Sequence, residues 1–218
     1  MAAALKIDFV SDIACPWCAI GLASLDSALE TLAGEVQASV HFQPFELNPQ
    51  MPAEGQDIDE HLAQKYGVTP EQSAQNREAI RARGEAVGFS FDMSRRSRIY
   101  NTFDAHRLLH WAGLEGRQAE LEHALFAAHF TEGRNPSDHA VLIDVAARAG
   151  LDAERARSIL AGDEYADAVH ERERFYLDHG IHAVPAVIVN DRHLIQGGQP
   201  AEVFASALRR IAAEATPV

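Results

Sequence analysis

Two cysteines separated by two residues are the feature that most constrains this chain. Cys15 and Cys18 are the only cysteines among its 218 residues, and their spacing suits a reversible disulfide. Residues 5–10 before them alternate between apolar and polar in the manner of a strand. In residues 16–34, apolar side chains recur at helical spacing. The pair therefore lies at a predicted strand-to-helix junction, a position that favours redox chemistry over simple packing.

The junction predicts different roles for the two cysteines. The thiolate form of cysteine attacks disulfides, and free N–H groups at a helix N-terminus favour negative charge on Cys15. Pro16 suits the first helical position, where its missing N–H costs nothing. Cys18 follows one turn along the helix. We therefore expect Cys15 to be the exposed nucleophile and Cys18 the more buried resolving cysteine.

Composition excludes several kinds of partner. The formal charge is −13, from 19 basic and 32 acidic residues, and this argues against nucleic acid or an anionic membrane as a partner. No apolar run approaches the roughly 20 residues of a membrane span. The first eight residues do not resemble a signal peptide. We therefore expect a cytoplasmic protein, in which a purely structural disulfide is disfavoured and a redox or metal role for the cysteines is favoured.

A metal role receives little support from the sequence. Structural zinc sites usually have four protein ligands, and no second pair of Cys or His residues has the spacing to complete one with Cys15 and Cys18. His106 and His110 are four residues apart and share a predicted helix face, but no nearby glutamate completes a metalloprotease-like motif. The sequence therefore predicts no metal site and no cofactor other than the redox-active disulfide itself.

The order of the remaining elements defines the fold class. A second strand is predicted over residues 36–42, and strand patterns return only over residues 183–189 and 193–195, before a final helix. The intervening stretch has helix-start signals, including a capping box at Thr69. The order β-α-β and α-β-β-α predicts an α/β thioredoxin fold with a large all-helical insertion. We assign residues 1–56 and 166–218 to the thioredoxin-like domain and residues 57–165 to the insertion.

Val184 and Pro185 open the apolar strand that follows this insertion. A proline there forfeits a ladder hydrogen bond, and in isolation an edge strand or strand entry would explain it, since only about 5–6% of X–Pro bonds are cis. A Cys-x-x-Cys motif in the same fold changes this interpretation. We therefore expect a cis-proline loop that faces the cysteines and presents backbone to a substrate.

Several motifs, in the expected order, carry a family resemblance. They are CPWCAIG at 15–21, PFELNP at 44–49, NTFDAHRL at 101–108, GIHAVP at 180–185 and IQGGQP at 195–200. On these segments the chain resembles the DsbA family of thiol–disulfide oxidoreductases, in its FrnE-like branch. That branch is similar to 2-hydroxychromene-2-carboxylate isomerases and kappa-class glutathione transferases.

The resemblance implies roles for individual residues. It implies that Cys15 is the nucleophile, that Cys18 resolves and that Pro185 is cis. It also implies that Phe45, Asn101 and His106 lie near the site and that Gly197 and Gly198 start the last helix beside it. The residues that we predict to contact the substrate are Pro16, Trp17, Phe45, Asn101, His106, Val184, Pro185, Gly197 and Gly198.

Three functions are compatible with this sequence. The first is a dithiol–disulfide oxidoreductase that acts through a Cys15–Cys18 disulfide on thiol- or disulfide-containing proteins or small molecules. The second is a glutathione-dependent isomerase or transferase, a class that commonly carries serine at the first cysteine position. The third is a non-catalytic chaperone or peptide-binding module. The sequence leaves open whether glutathione is a co-substrate and whether the chain forms a homodimer.

Overall fold

The computed structural model describes residues 2–52 and 54–215. The strands are β1 (Ala3–Ser11), β2 (Val36–Pro44), β3 (Gln56–Asp57), β4 (Arg98–Ile99), β5 (Ala186–Val189) and β6 (His193–Gln196). The helices are α1 (Pro16–Thr31), α2 (Ile58–Tyr66), α3 (Pro70–Ala86), α4 (Phe103–Leu114), α5 (Gln118–Phe126), α6 (His139–Arg148), α7 (Ala153–Leu160), α8 (Ala166–Asp178) and α9 (Ala201–Ala215). A π-helical turn, Ala127–Thr131, continues α5.

Strand β1 lies in the interior of the main sheet, whose order is β2-β1-β5-β6. It pairs in parallel with β2 and antiparallel with β5, so that Ile7 lies beside both Val40 and Val189. The parallel pair requires a crossover, which α1 supplies. Phe9 and Ile7 are fully buried. This arrangement is the predicted thioredoxin fold, and Cys15 follows its interior strand directly.

As predicted, residues 57–165 are mainly helical: they form α2 to α7 and the π-helical turn, while β3 and β4 form one short strand pair. Strands β3 and β4 pair antiparallel over two residues each, with Gln56 opposite Ile99. Helices α4, α5 and α8 contact β2, while α1 and α9 pack against each other. A single hydrophobic cluster includes Phe9 of the sheet and Phe126 of the insertion. The domain boundaries at 56/57 and 165/166 stay a prediction.

Local signals set the helix starts. Thr69 and Gln72 form the predicted capping box at the start of α3. Asp152 accepts a hydrogen bond from the backbone of Arg155 and caps α7. Within the described ranges, none of the helices combines the length and the apolar character that a membrane span needs.

Candidate active site

The two cysteines lie where α1 begins. Cys15 is the N-cap residue and Pro16 the first helical residue. The backbone N–H of Cys15 donates to the carbonyl of Asp12 at 2.9 Å, and that of Cys18 donates to the carbonyl of Cys15 at 3.1 Å. Both thiols are free. The turn therefore holds the Cys15 side chain at the positive end of α1, where a thiolate is favoured.

The predicted exposure of Cys15 is wrong. The residue is 4% exposed and Cys18 is 0% exposed, so only the order of the two is as predicted. The reason is that the loop before β5 lies against Cys15, whose Sγ donates to the Val184 carbonyl at 3.8 Å.

The surroundings of Cys18 favour its protonated thiol form. Burial raises the pKa of its thiol well above the usual value, and a hydrogen bond with Cys15 adds to this effect. A protonated thiol is a poor nucleophile. Cys15 is therefore the better placed of the two to attack first.

The Val184–Pro185 peptide bond is cis, and its loop packs directly on α1. A Cβ added at Gly21 would lie 3.0 Å from Cγ of Pro185. The Pro185 carbonyl accepts a hydrogen bond from Gly197 N–H at 2.8 Å. The proline loop, the start of α1 and the loop before α9 thus meet beside the cysteines.

Gly198 allows this close meeting. A Cβ at Gly198 would lie 2.9 Å from the backbone oxygen of Trp17, a distance that real Cβ atoms essentially never show. Gly197 has a φ of +80°, which favours glycine. Both glycines therefore allow the loop before α9 to pack directly against the backbone of α1. Their contact with substrate stays a prediction.

Substituting Gly198 with alanine is expected to destabilise the protein by about 1–3 kcal/mol, because the added methyl group forces α1 and the loop apart. Gly162→Ala is the matched control, since a Cβ there meets nothing within 4 Å. Urea unfolding of the two variants beside the unmodified protein measures the difference. Equal free energies of unfolding for the two variants would show that the loop moves away from α1 without a measurable loss of stability.

Trp17 supplies an exposed apolar surface next to the cysteines. Its side chain is 39% exposed although it stands between two buried residues of the motif, and Pro16 beside it is half-buried. An exposed ring at this position is available for contact with a partner molecule. Its assignment to substrate binding stays a prediction.

Asp12 organises the backbone around the cysteines, a role that no motif in the sequence indicates. It is buried, and its carboxylate accepts hydrogen bonds from Ala14 N–H at 2.9 Å, Thr102 Oγ1 at 2.8 Å and Leu47 N–H at 2.6 Å. These partners belong to the turn before α1, the start of α4 and the loop after β2. One carboxylate thus fixes three segments around the motif.

His106 and Phe45 lie behind this carboxylate. Nε2 of His106 is 3.9 Å from Oδ1 of Asp12, and the ring hydrogen-bonds to the backbone of Phe45. Burial lowers the pKa of His106, so the ring is neutral at physiological pH. Both residues are buried. They support the turn from within the protein, and their predicted contact with substrate stays a prediction.

Asn101 forms its hydrogen bonds with the loop after β2 and with α4. Its Nδ2 donates to the Pro49 carbonyl at 3.3 Å and to Oε2 of Glu46 at 3.4 Å. Its Oδ1 accepts from the N–H of Phe103 at 2.9 Å. These contacts give Asn101 a clear structural role, while substrate contact stays a prediction for this residue as well.

Arg96 is a second residue that sequence reasoning missed. Its Nη2 donates to the carbonyl of Ala14, the neighbour of Cys15, at 3.2 Å, and its guanidinium lies 5.1 Å from the ring centroid of Phe130. Burial lowers the pKa of Arg96 to about 10, against the opposing effect of a Cys15 thiolate. The group remains a cation at neutral pH. It therefore places a buried positive charge at the backbone of Ala14, the residue directly before Cys15.

Glu122 is a buried acid on α5, a helix that contacts β2. It is 0% exposed, its Oε1 accepts from Ser11 Oγ at 2.7 Å, and its Oε2 has no hydrogen-bond partner among the described residues. Burial raises the pKa of Glu122 to about 7. It lines a cleft of about 510 Å³ that His106 also lines.

The raised pKa of Glu122 makes stability depend on pH. The carboxyl group ionises near pH 4.3 in the unfolded protein but only near pH 7 in the folded protein. The free-energy cost of burying the ionised carboxylate is therefore absent below about pH 4 and fully present above about pH 7. Unmodified protein should therefore lose about 3–4 kcal/mol relative to Glu122→Gln as pH rises across that window. Urea unfolding at a series of pH values measures this. The exposed neighbour, in Glu120→Gln, should show no such loss, and a constant difference for Glu122→Gln would contradict the burial argument.

The fold and this cysteine site define a thioredoxin-like protein with a helical insertion, and comparison with known proteins agrees. The chain matches the DSBA-like thioredoxin domain family over residues 6–209. It therefore belongs to that family, and the predicted DsbA-family membership is confirmed.

Solved structures extend the comparison. The probable DsbA oxidoreductase SCO1869 from Streptomyces coelicolor is 35% identical, with a TM-score of 0.91 over 98% of this chain and 92% of that one. A 2-hydroxychromene-2-carboxylate isomerase is 15% identical, with a TM-score of 0.70 over 96% of this chain and 97% of that one. The cytosolic disulfide reductase DsbM from Pseudomonas aeruginosa, in a structure with GSH, is 18% identical, with a TM-score of 0.66 over 95% and 99%. The last two share the fold.

Proposed function

We propose that this protein is a dithiol–disulfide oxidoreductase that cycles through a Cys15–Cys18 disulfide. The observation that carries the proposal is the position of Cys15 at the start of α1, beside the Val184 carbonyl and the cation of Arg96. Catalytic cysteines are typically found at a helix N-terminus or beside a cation, and a second free thiol, Cys18, lies in the same turn. Membership of the DSBA-like family supports the same class of chemistry.

The reaction follows from the two thiols. The Cys15 thiolate attacks a substrate disulfide, forms a mixed disulfide and releases one substrate thiolate. Cys18 then loses its proton and attacks Sγ of Cys15, which releases the second substrate thiolate and leaves a Cys15–Cys18 disulfide. The substrate gains the two electrons that the protein dithiol loses. A thiol reductant returns the protein to its starting state, and the reverse sequence oxidises a substrate dithiol.

The substrates are thiol- or disulfide-containing proteins or small molecules. Backbone at Val184 lies beside Cys15 and is placed to align an extended partner chain, while the exposed ring of Trp17 offers an apolar contact. Glutathione is proposed as a co-substrate, since the structure of DsbM with GSH shares this fold. A cytoplasmic location stays a prediction.

A glutathione-dependent isomerase or transferase is the second candidate, because a 2-hydroxychromene-2-carboxylate isomerase shares the fold along nearly the whole chain. Such an enzyme activates a bound thiol and does not need a protein disulfide. The presence of a second cysteine, Cys18, directly after Cys15 in the same turn favours the first candidate, since a bound-thiol mechanism does not require it.

One substitution separates the two candidates. Cys18→Ser is expected to slow repeated turnover in insulin reduction at least about tenfold, because release of the mixed disulfide then depends on attack by an external thiol. The same variant is assayed with a chromene or an electrophile in the presence of glutathione. Slower insulin turnover without any glutathione-dependent activity supports the oxidoreductase, whereas full insulin turnover by Cys18→Ser would refute it.

A further inference from the structure

Three metal-ligating side chains from distant parts of the chain meet beside the start of α4. Glu46 follows β2, while His170 and Glu173 lie three residues apart on α8, and one ligand atom from each lies within 4.8 Å of the others. We infer that this cluster binds a divalent transition-metal ion, with zinc as the best fit. The cysteine chemistry proposed above uses none of these three residues.

One carboxylate oxygen of Glu173 is buried without a hydrogen-bond partner among the described residues. This oxygen is Oε1, and the Glu173 side chain is only 13% exposed. A buried carboxylate oxygen without a partner is costly, and a metal ion at this position would compensate it. Nδ1 of His170 lies 3.7 Å from the other oxygen, Oε2. The imidazole and the carboxylate thus already converge.

The two carboxylates lie close together although both carry negative charge when ionised. One oxygen of Glu46 and one of Glu173 lie within 4.8 Å of each other. A divalent cation between the two groups would offset their mutual repulsion.

Neighbouring residues fix the orientation of the ligands. Nδ2 of Asn101 donates to Oε2 of Glu46 at 3.4 Å, and the ring of Phe103 stacks on that of His170 with centroids 4.5 Å apart. Such contacts around a metal site hold ligands in place. The cluster opens into a cleft that Arg174 and Leu177 also line, which leaves a coordination position for water or another ligand.

The donor set selects the metal. One imidazole nitrogen and two carboxylates suit zinc with an open fourth position, whereas magnesium and calcium favour oxygen ligands alone. This inference departs from the sequence-based prediction of no metal. That prediction considered the cysteines and the His106–His110 pair, and Glu46 is too far from α8 in sequence to suggest the cluster.

Calorimetric titration with zinc chloride tests the inference. The full chain carries Cys15→Ala and Cys18→Ala, so that the thiols cannot bind the metal and the outcome does not depend on the proposed redox function. We expect one site, with affinity reduced at least about tenfold by Glu173→Gln and by His170→Ala. His193→Ala is the matched control, because His193 lies 3.6 Å from the single carboxylate of Glu214. It should leave the affinity unchanged.

Thermal unfolding gives a second readout. Zinc should raise the unfolding midpoint of the parent and of His193→Ala but not that of Glu173→Gln, because only a ligand of the folded state stabilises it. Magnesium should have no effect on any of them. The inference is overturned if zinc does not bind, or if Glu173→Gln and His170→Ala bind it as tightly as the parent.

Discussion

Replacing Cys15 with alanine is expected to lower the reduction of a disulfide substrate at least about a thousandfold, because the variant lacks the nucleophile that forms the mixed disulfide. The remaining thiol, Cys18, is fully buried and its pKa is raised, so it cannot take over the attack at neutral pH. Insulin reduction at pH 7 with glutathione as reductant measures the loss.

The reciprocal variant provides the control. Cys18→Ser also removes one thiol from the motif but keeps the attacking residue, so a single attack should proceed and the mixed disulfide should accumulate. Mass spectrometry of the alkylated protein separates the two cases. A mixed disulfide on Cys18 in the Cys15→Ala protein, or unchanged turnover by that protein, would show that Cys15 is not the attacking cysteine.

Replacing Arg96 with methionine is expected to slow alkylation of Cys15 by iodoacetamide at pH 7 about tenfold. A cation next to a thiol favours its thiolate, and a buried cation is poorly screened by salt. Arg96 donates to the carbonyl of Ala14, directly before Cys15. The loss of charge should therefore reduce both the alkylation rate and the rate of disulfide exchange.

A neighbouring arginine gives the matched control. Arg95 has an exposed side chain and pairs with Asp92, so Arg95→Met should leave the alkylation rate of Cys15 unchanged. Arg96→Lys keeps the charge and should restore part of the rate that Arg96→Met loses. If Cys15 is alkylated equally fast in Arg95→Met and Arg96→Met, the role of Arg96 is confined to its contacts with Ala14 and Phe130.

The elements that the sequence predicted well are those with strong apolar periodicity. The alternation in β2 and the helical spacing in α1 correspond to the buried faces of that strand and helix, whereas β1 is buried on both faces from Ile7 onward. Strands β3 and β4 were missed because two residues are too few to show any period. The capping box at Thr69 was predictable because it depends on residues three apart.

The site was only partly predictable, because its polar groups come from distant segments. Arg96 is 82 residues from Ala14, and Glu122 is 111 residues from Ser11. Nothing in local sequence marks one arginine among several as the one beside Cys15. The burial of Cys15 was missed for the same reason, since it depends on the loop at Val184. A motif identifies the reacting atoms, whereas tertiary packing decides which charges surround them.

The central claim is that Cys15 and Cys18 form a reversible disulfide. The most direct measurement is equilibration of the protein in a series of glutathione redox buffers, followed by alkylation and mass spectrometry to count free thiols. We expect one two-electron transition between the free dithiol and the Cys15–Cys18 disulfide, without a lasting glutathione adduct. Thiols that stay free across the whole series, or a stable adduct on Cys15 in place of the internal disulfide, would contradict this account.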